Sequence, residues 1–323
     1  MFDPTERWRR FHGQDWKAGW AGLLTYAELP YTEDPAELEG VDVAVLGAPT
    51  DELVSNAPGA RFGPRAIRAA MPTSGYHLDT GMDWMELLRV VDYGDAPIVP
   101  TDAVASHRAI EGTVGEVAKA GVVPIVLGGD HSITEPGLRA CAAEHGPLGL
   151  IHFDAHTDTA ASLYGQEVSH GTPMYRLVEQ GHVAPERYVQ IGLRGFWPEA
   201  EEFRWQEERG ITSFFMQDVT RMGADRVTER AIEIAGDGPT FLTVDIDVLD
   251  PAFAPGTGTP EPGGMTARDL LTACRTIAAQ VRLVGVDVVE VAPTEVNDRT
   301  ALVADRVVRE VLSGMAVGRR PAG

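Results

Sequence analysis

The chain has 323 residues, 44% of them hydrophobic and 23% charged, the composition of a folded globular protein with ample material for a core. A formal net charge of −21 argues against nucleic acid or an anionic membrane as a partner, because either would need a basic face. The opening MFDPTERWRRFHGQDW has no apolar h-region and no run of about 18 apolar residues occurs, so a cytoplasmic protein is expected, neither exported nor membrane-inserted.

In chain order, residues 1–40 carry Trp8, Trp16 and Trp20 with little periodicity. They read as an N-terminal extension packing on the core or on a neighbouring subunit. Short Val/Ile/Leu-rich runs then predict strands over 41–47, 87–94, 122–128, 148–154, 187–192, 240–247 and 282–290. Helical patterns fall over 102–120, 132–145, 171–180, 224–236, 266–280 and 298–314. In GARFGPRAIR, Gly59 and Gly63 suit a tight loop and Pro64 the first turn of a helix. The only cysteines, Cys141 and Cys274, sit in amphipathic helical patterns and read as reduced core thiols. Near-continuous apolar strands separated by helices point to a mostly parallel sheet of about eight strands covered on both faces. No linker or repeat divides the chain, so 1–323 reads as a single α/β domain.

Open parallel sheets bind ligands outside the carboxyl ends of their strands. Four strands here end in polar groups: VVPIVLGGDHS in Asp130 and His131, LGLIHFDAHTD in Asp154, His156 and Asp158, FLTVDIDVLD in Asp245, Asp247 and Asp250, and RLVGVDVVEV in Asp287 and Glu290. Residues i and i+2 of a strand share a face but lie roughly 6.6 Å apart, too far for three of them to close on one ion while the strand stays straight. Either the chain curls or the groups serve two ions. His131, Asp154, His156, Asp158, Asp245 and Asp247 together make an oxygen-rich set with two imidazoles, which suits Mn²⁺ and, less distinctively, Ni²⁺, Co²⁺ or Zn²⁺. Two such ions can share a water and lower its pKa towards neutrality. A single aspartate at a strand end serves as readily as a helix cap or loop solvator. Six such groups on three strand ends are hard to explain that way.

The segments GGDHS, DAHTD, SHGTP and DIDVLDPAFAPGTGTPEPGG resemble the signature segments of the ureohydrolase superfamily of arginases, agmatinases and other guanidino hydrolases, and GARFGPRAIR resembles the agmatinase branch. The resemblance covers nearly the whole chain. It implies an arginase-like three-layer α/β/α fold, two Mn²⁺ per subunit with Ni²⁺ or Co²⁺ as substitutes, and hydrolysis of a guanidino compound to urea and an amine. It also implies a homo-oligomer, a trimer or hexamer. Carried over, one ion would be held by His131, Asp154, Asp158 and Asp245 and the other by Asp154, His156, Asp245 and Asp247, with Asp154 and Asp245 bridging. His170 in SHGTP matches the family's proton-shuttle histidine, and Glu290 in VVEVAP the carboxylate that orients the guanidinium; with Asp158 these are the expected catalytic residues. Asp130 and Ser132 read as braces around His131, and Asp287 as either a support for the metal ligands or a plain strand-end residue. His12, His77, His107, His145 and His182 lack convergent partners in sequence and read as surface or core.

Arginases carry an Asn two residues beyond the last Asp of the second metal motif, where this chain has Ala160, so an α-amino acid loses an anchor. Agmatine, giving putrescine and urea, is therefore the expected substrate, with 4-guanidinobutyrate or 3-guanidinopropionate as alternatives. Formimidoylglutamate hydrolysis, arginase activity and a non-catalytic role rank below these. Ala57, where Arg often precedes Pro-Gly, and Met174, where Phe is usual after HGTP, depart from the agmatinase form. A carboxylated tail would want a cation, and Arg61, Arg65 and Arg176 are the candidates, each more simply read as helix-surface residues.

Overall fold

Among the described residues, runs rich in β-branched and aliphatic residues form all but one of eight strands, and most segments between them have a 3.6-residue apolar period and form helices. The computed structural model describes residues 22–71, 75–197, 199–296 and 298–319. In chain order the elements are β1 (Val43–Ala48), α1 (Gly63–Ala70), β2 (Val90–Asp95), α2 (Ala103–Lys119), β3 (Val123–Gly128), α3 (Thr134–His145), β4 (Leu148–Phe153), α4 (Pro173–Glu179) and β5 (Val183–Leu193). They continue with α5 (Ala200–Arg209), β6 (Thr212–Phe215), α6 (Met216–Met222), α7 (Ala224–Ala235), β7 (Thr240–Asp245), α8 (Ala267–Gln280), β8 (Leu283–Val289) and α9 (Arg299–Gly318).

The strands make one sheet in the order β2-β1-β3-β8-β7-β4-β5-β6, and every neighbouring pair is parallel. Alternate residues of each strand enter separate cores, as the two-residue strand period requires. Val43, Val45, Ile151 and Val244 pack with Ile67 of α1, Val227 of α7, Ile277 of α8 and Val308 of α9. Ala44, Leu46, Leu150 and Phe241 pack with Ile110 and Val114 of α2, Leu138 of α3 and Leu177 of α4 on the other face. The result is the expected three-layer α/β/α fold. Both cysteines are free and buried in these cores, where burial raises the Cys141 thiol to about 12.

The eighth strand, β6, has no counterpart among the predicted ones. It is a four-residue edge strand whose residues are all only half-buried, too short for an alternation to register. Helices α5 and α6 were likewise not anticipated: α5 buries only Gln206 and α6 only Val219, so neither displays an apolar stripe. Helix α1 does begin with Pro64 in its first turn, and Gly63 is required because a Cβ there would meet the Val291 carbonyl oxygen at 2.6 Å.

Trp8, Trp16 and Trp20 lie outside the described residues. Of residues 22–40, Tyr26 is wholly buried, its N–H donating to Asp92 Oδ2 at 2.6 Å and its hydroxyl to the Asp305 carbonyl at 3.1 Å. Among the described residues no helix is long and apolar enough to cross a membrane.

The sheet order decides where chemistry can happen. β3, β8, β7 and β4 are adjacent, and Leu127, Val288, Val244 and Phe153 form one line of register across them. One position further on, Asp154 and Asp245 emerge from neighbouring strands, which lie about 4.8 Å apart.

Candidate metal centre

The centre is assembled at the carboxyl ends of β3, β4, β7 and β8. After β3 the chain passes through Gly129, where a Cβ would lie 1.8 Å from the Thr50 carbonyl oxygen, so only glycine allows the approach. Asp130 then caps the turn His131–Ile133 by accepting from the Ser132 N–H at 3.0 Å, and it also accepts from the Leu53 N–H at 3.3 Å. Ser132 in turn meets His107 Nε2 at 3.0 Å, which accounts for His107 as a bonded core histidine.

The strands do not run straight through the polar residues. β4 stops at Phe153, and Asp154 Oδ1 accepts the His156 N–H at 2.6 Å; β7 stops at Asp245, whose Oδ1 accepts the Asp247 N–H at 2.8 Å. These side-chain-to-backbone turns curl each chain so that the i and i+2 side chains converge. Asp158, at φ 50°, and Glu290, at φ 61°, are both left-handed, a conformation that Asp tolerates and that strains Glu.

His131 Nδ1 lies 2.9 Å from Asp158 Oδ2, 3.1 Å from Asp154 Oδ2 and 3.2 Å from Asp245 Oδ2. Despite this proximity the buried Nδ1 makes no hydrogen bond of acceptable geometry. Its ring is oriented from behind: Nε2 meets Thr243 Oγ1 at 2.9 Å. This contact holds the ring so that Nδ1 faces the carboxylates, the arrangement of a histidine that binds metal through Nδ1 once a cation replaces the Nδ1 proton. Nearby, the wholly buried Asp287 accepts from the Thr134 hydroxyl at 2.7 Å through Oδ2.

A second cluster adjoins the first. His156 Nδ1 lies 3.1 Å from Asp247 Oδ2 and 3.5 Å from Asp154 Oδ1. Asp247 is held by the Ala155 N–H at 3.1 Å and by the Thr259 hydroxyl at 3.3 Å. Asp154 belongs to both clusters of potential ligand atoms, one with His131 and His152 and one with His156 and Asp247. All six predicted ligands are therefore brought together. Burial and neighbouring carboxylates raise Asp245 well above the usual range and Asp247 above it, while around Asp154 burial is outweighed by His131, His152 and His156, which hold it low. Burial pulls His131 and His156 down, but the surrounding carboxylates win, lifting His131 well above its ordinary value and His156 to about 12. A buried anionic cluster with an orphaned imidazole nitrogen fits two divalent cations with O/N preference, such as Mn²⁺.

His170 borders this cluster. Its Nδ1 is 3.1 Å from Glu290 Oε1, and its Nε2 is 2.7 Å from Ser55 Oγ and, in the neutral ring, accepts the Ser55 N–H at 3.1 Å. Burial alone would lower the His170 pKa, yet the Glu290 carboxylate raises it to about 9. Glu290 Oε1 also accepts the His131 N–H at 2.9 Å, and its buried Oε2 has no hydrogen-bond partner. A cleft of about 180 Å³ opens beside these groups, lined by His156, Asp158, His170 and Asp245 together with Ser55, Leu163, Trp197 and Thr259. A larger groove of about 830 Å³, running between His77, Trp84 and the α9 residues Asp305 and Arg309, contains none of the converging ligands.

No Lys or Arg is among the described residues lining the cleft. Arg61 pairs with Asp51, Arg176 donates to Glu135 at 2.7 Å, and Arg65 borders a separate surface pocket. Met174 is wholly buried in the core, so its departure from Phe is a matter of packing. His152, Thr243, Tyr188 and Gln190 also adjoin the site, although no sequence motif marks them. The available signal was spacing, since His152 precedes Asp154 by two positions on the same strand face.

Residues 41–314 match the arginase family. The chain is 41% identical over 300 residues to a guanidinopropionase of Pseudomonas aeruginosa, covering 92% of each. It is 38% identical over 319 residues to the mitochondrial agmatinase of Gallus gallus, covering 96% of this chain and 91% of that one. Among solved structures, the proclavaminate amidino hydrolase of Streptomyces clavuligerus superposes with a TM-score of 0.87 at 36% identity, covering 94% of this chain and all of the other.

Proposed function

The chain belongs to the arginase family and is a hydrolase of guanidino compounds, and on that premise we propose a binuclear manganese ureohydrolase that converts agmatine to putrescine and urea. The observation that carries this reading is Asp154, common to a His131–Asp158–Asp245 cluster and a His156–Asp247 cluster, beside a His170–Glu290 pair. His131, Asp154, Asp158 and Asp245 would hold one ion, and Asp154, His156, Asp245 and Asp247 the other. Bound there, the two cations would lower the pKa of a water for attack on the guanidinium carbon.

The protein's own groups then divide the remaining work. Glu290 Oε2, buried and unpartnered, accepts a guanidinium N–H and fixes the plane of the cation, while Oε1 stays on His131 and His170. Asp158 accepts a proton from the attacking water. His170 delivers a proton to the nitrogen of the breaking C–N bond, because an amine leaves poorly unless protonated. The departing amine takes the remaining hydroxyl proton and Asp158 returns its proton to His170, so one guanidinium and one water yield one urea and one alkylammonium with charge and protons balanced.

Agmatine is favoured over a guanidino acid by the cleft, whose described lining includes no Lys or Arg to pair with a tail carboxylate. The guanidinopropionase relative supports the second reading, 3-guanidinopropionate or 4-guanidinobutyrate. The same proposal treats 1–323 as one domain with 1–40 as an N-terminal extension, and the protein as a cytoplasmic homotrimer or homohexamer. Urea release by the manganese-loaded protein should be compared on agmatine, 4-guanidinobutyrate, 3-guanidinopropionate, L-arginine and guanidine. The highest kcat/KM is expected on agmatine. A higher value on either acid transfers the assignment to that acid, and no urea from any of the five with Mn²⁺, Ni²⁺ or Co²⁺ rejects it.

A further inference from the structure

Behind the metal centre runs a polar chain that the proposed chemistry does not use. His152, Tyr188 and Gln190 are each fully buried, and His152 and Gln190 are register partners on β4 and β5. Buried polar side chains without partners are costly, so the direction of every bond here can be worked out from what each atom is able to donate.

The chain is anchored at the Thr157 carbonyl, which can only accept. It lies 2.7 Å from Gln190 Nε2, and this fixes the amide orientation. The second hydrogen of that nitrogen goes to the Tyr188 hydroxyl oxygen at 2.9 Å. The one phenolic hydrogen of Tyr188 is then free for His152 Nδ1 at 3.0 Å. Gln190 Nε2 also approaches Nδ1, at 3.3 Å, and it too can only donate there. Either neighbour makes Nδ1 an acceptor, so the proton of neutral His152 sits on Nε2, which faces Asp154 Oδ2 at 2.8 Å. The His152 ring also meets the His131 ring edge-on, with centroids 5.0 Å apart.

We infer that Gln190, Tyr188 and His152 form a one-way chain of donors that sets the orientation of Asp154 and thereby the metal affinity of both halves of the centre. His152 is a positioning residue acting through Asp154. The inference rests on the proposed metal-centre reading and adds to it. One Asp154 oxygen is held by His152 and the other by the His156 N–H, leaving one remaining lone pair on each for the two clusters. Hydrogen bonds to ligating groups of this kind are worth about 10- to 100-fold in metal affinity.

The test is manganese binding by equilibrium dialysis to the full-length wild type, His152→Phe, His152→Gln and Tyr188→Phe, together with ¹⁵N NMR of the wild-type imidazoles. His152→Phe should weaken binding of both ions by about 10- to 100-fold, and His152→Gln, which keeps an amide donor, should recover part of that loss. Tyr188→Phe should have a smaller effect, because Gln190 can still donate to Nδ1. The wild-type spectrum should show His152 as the Nε2-protonated tautomer. A Nδ1-protonated tautomer overturns the inference whether or not the variants fold, and so does a folded His152→Phe that binds manganese within twofold of wild type. Wild-type protein that binds no divalent ion would instead sink the metal-centre reading itself.

Discussion

His170 Nδ1 lies 3.1 Å from Glu290 Oε1, and that same oxygen accepts the His131 N–H at 2.9 Å, so one carboxylate holds both the candidate proton shuttle and the loop of a candidate metal ligand. Its consequence for stability is directional. Burial opposes a charged His170 and Glu290 favours it, with a net rise to about 9 in the metal-free chain. A histidine pKa raised on folding adds stability that is fully present below the unfolded value, near 6.5, and lost as pH rises through the folded value. His170→Asn removes this contribution. In chelator-treated protein, the wild type's advantage over the variant in urea melts should therefore be larger at pH 6 than at pH 10, by on the order of 2 kcal/mol. An equal advantage at both pH values would show that the pair does not titrate as described.

Metal content should separate ligands from the shuttle. Asp154 and Asp245 leave adjacent strands one position beyond a shared register line and both face His131. Asp154→Ala or Asp245→Ala should lose both ions and all turnover, because each is proposed to serve both. His170→Asn should retain two ions and lower kcat by about 10²-fold or more, the usual worth of general acid catalysis. Elemental analysis of the three purified variants decides: full metal in an aspartate variant rejects bridging, and lost metal in the histidine variant makes His170 a ligand.

The strand ends were readable because strands buried on both faces are apolar along most of their length, so Asp154, Asp245 and Glu290 announce themselves where the apolar run stops. The order of strands was not readable. β8 comes late in the chain yet inserts between β3 and β7, a long-range crossover that leaves no trace in local periodicity. His152 and Gln190 were passed over for a related reason: each sits inside an apolar run, and only the cross-strand register reveals that they face each other. The polar helix α5, which buries Gln206 alone, carries too few apolar positions to reveal a face.

Metal binding should stabilise the fold measurably. Asp154, Asp245 and Asp247 are all within 3% of complete burial, and burial with mutual repulsion opposes the charged forms of Asp245 and Asp247. Cations neutralise that repulsion only in the folded state. At a hundredfold excess over Kd one site is worth about 2.7 kcal/mol, which corresponds to several degrees in Tm for a chain of this size. Chelation should lower Tm, and Mn²⁺ but not Ca²⁺ at equal concentration should restore it, as the imidazole ligands favour the transition metal. Calorimetry showing no shift with any divalent ion would remove the basis for the centre.

Gly129 offers a backbone test of the same geometry. A Cβ at this position would fall 1.8 Å from the Thr50 carbonyl oxygen and 2.8 Å from that of Ala48, and backbone atoms cannot rotate aside as a side chain can. Relief requires residue 129 to move, and it is bonded on both sides: its carbonyl accepts the Glu290 N–H at 2.9 Å, and the next N–H, of Asp130, donates to Thr50 at 2.9 Å. Displacement therefore reaches His131 and Glu290 together. Gly129→Ala should destabilise the protein by about 3 kcal/mol or more, at the upper end for overpacking, and weaken manganese binding in whatever fraction remains folded. Gly137→Ala is the control. It lies in α3 with nothing within 4 Å of the added methyl, so it should be neutral or stabilise by up to about 1 kcal/mol. Urea melts that place both variants at the wild-type midpoint would mean that the β1 and β3 ends are further apart than 1.8 Å from a Cβ implies, and the position of His131 would have to be drawn again.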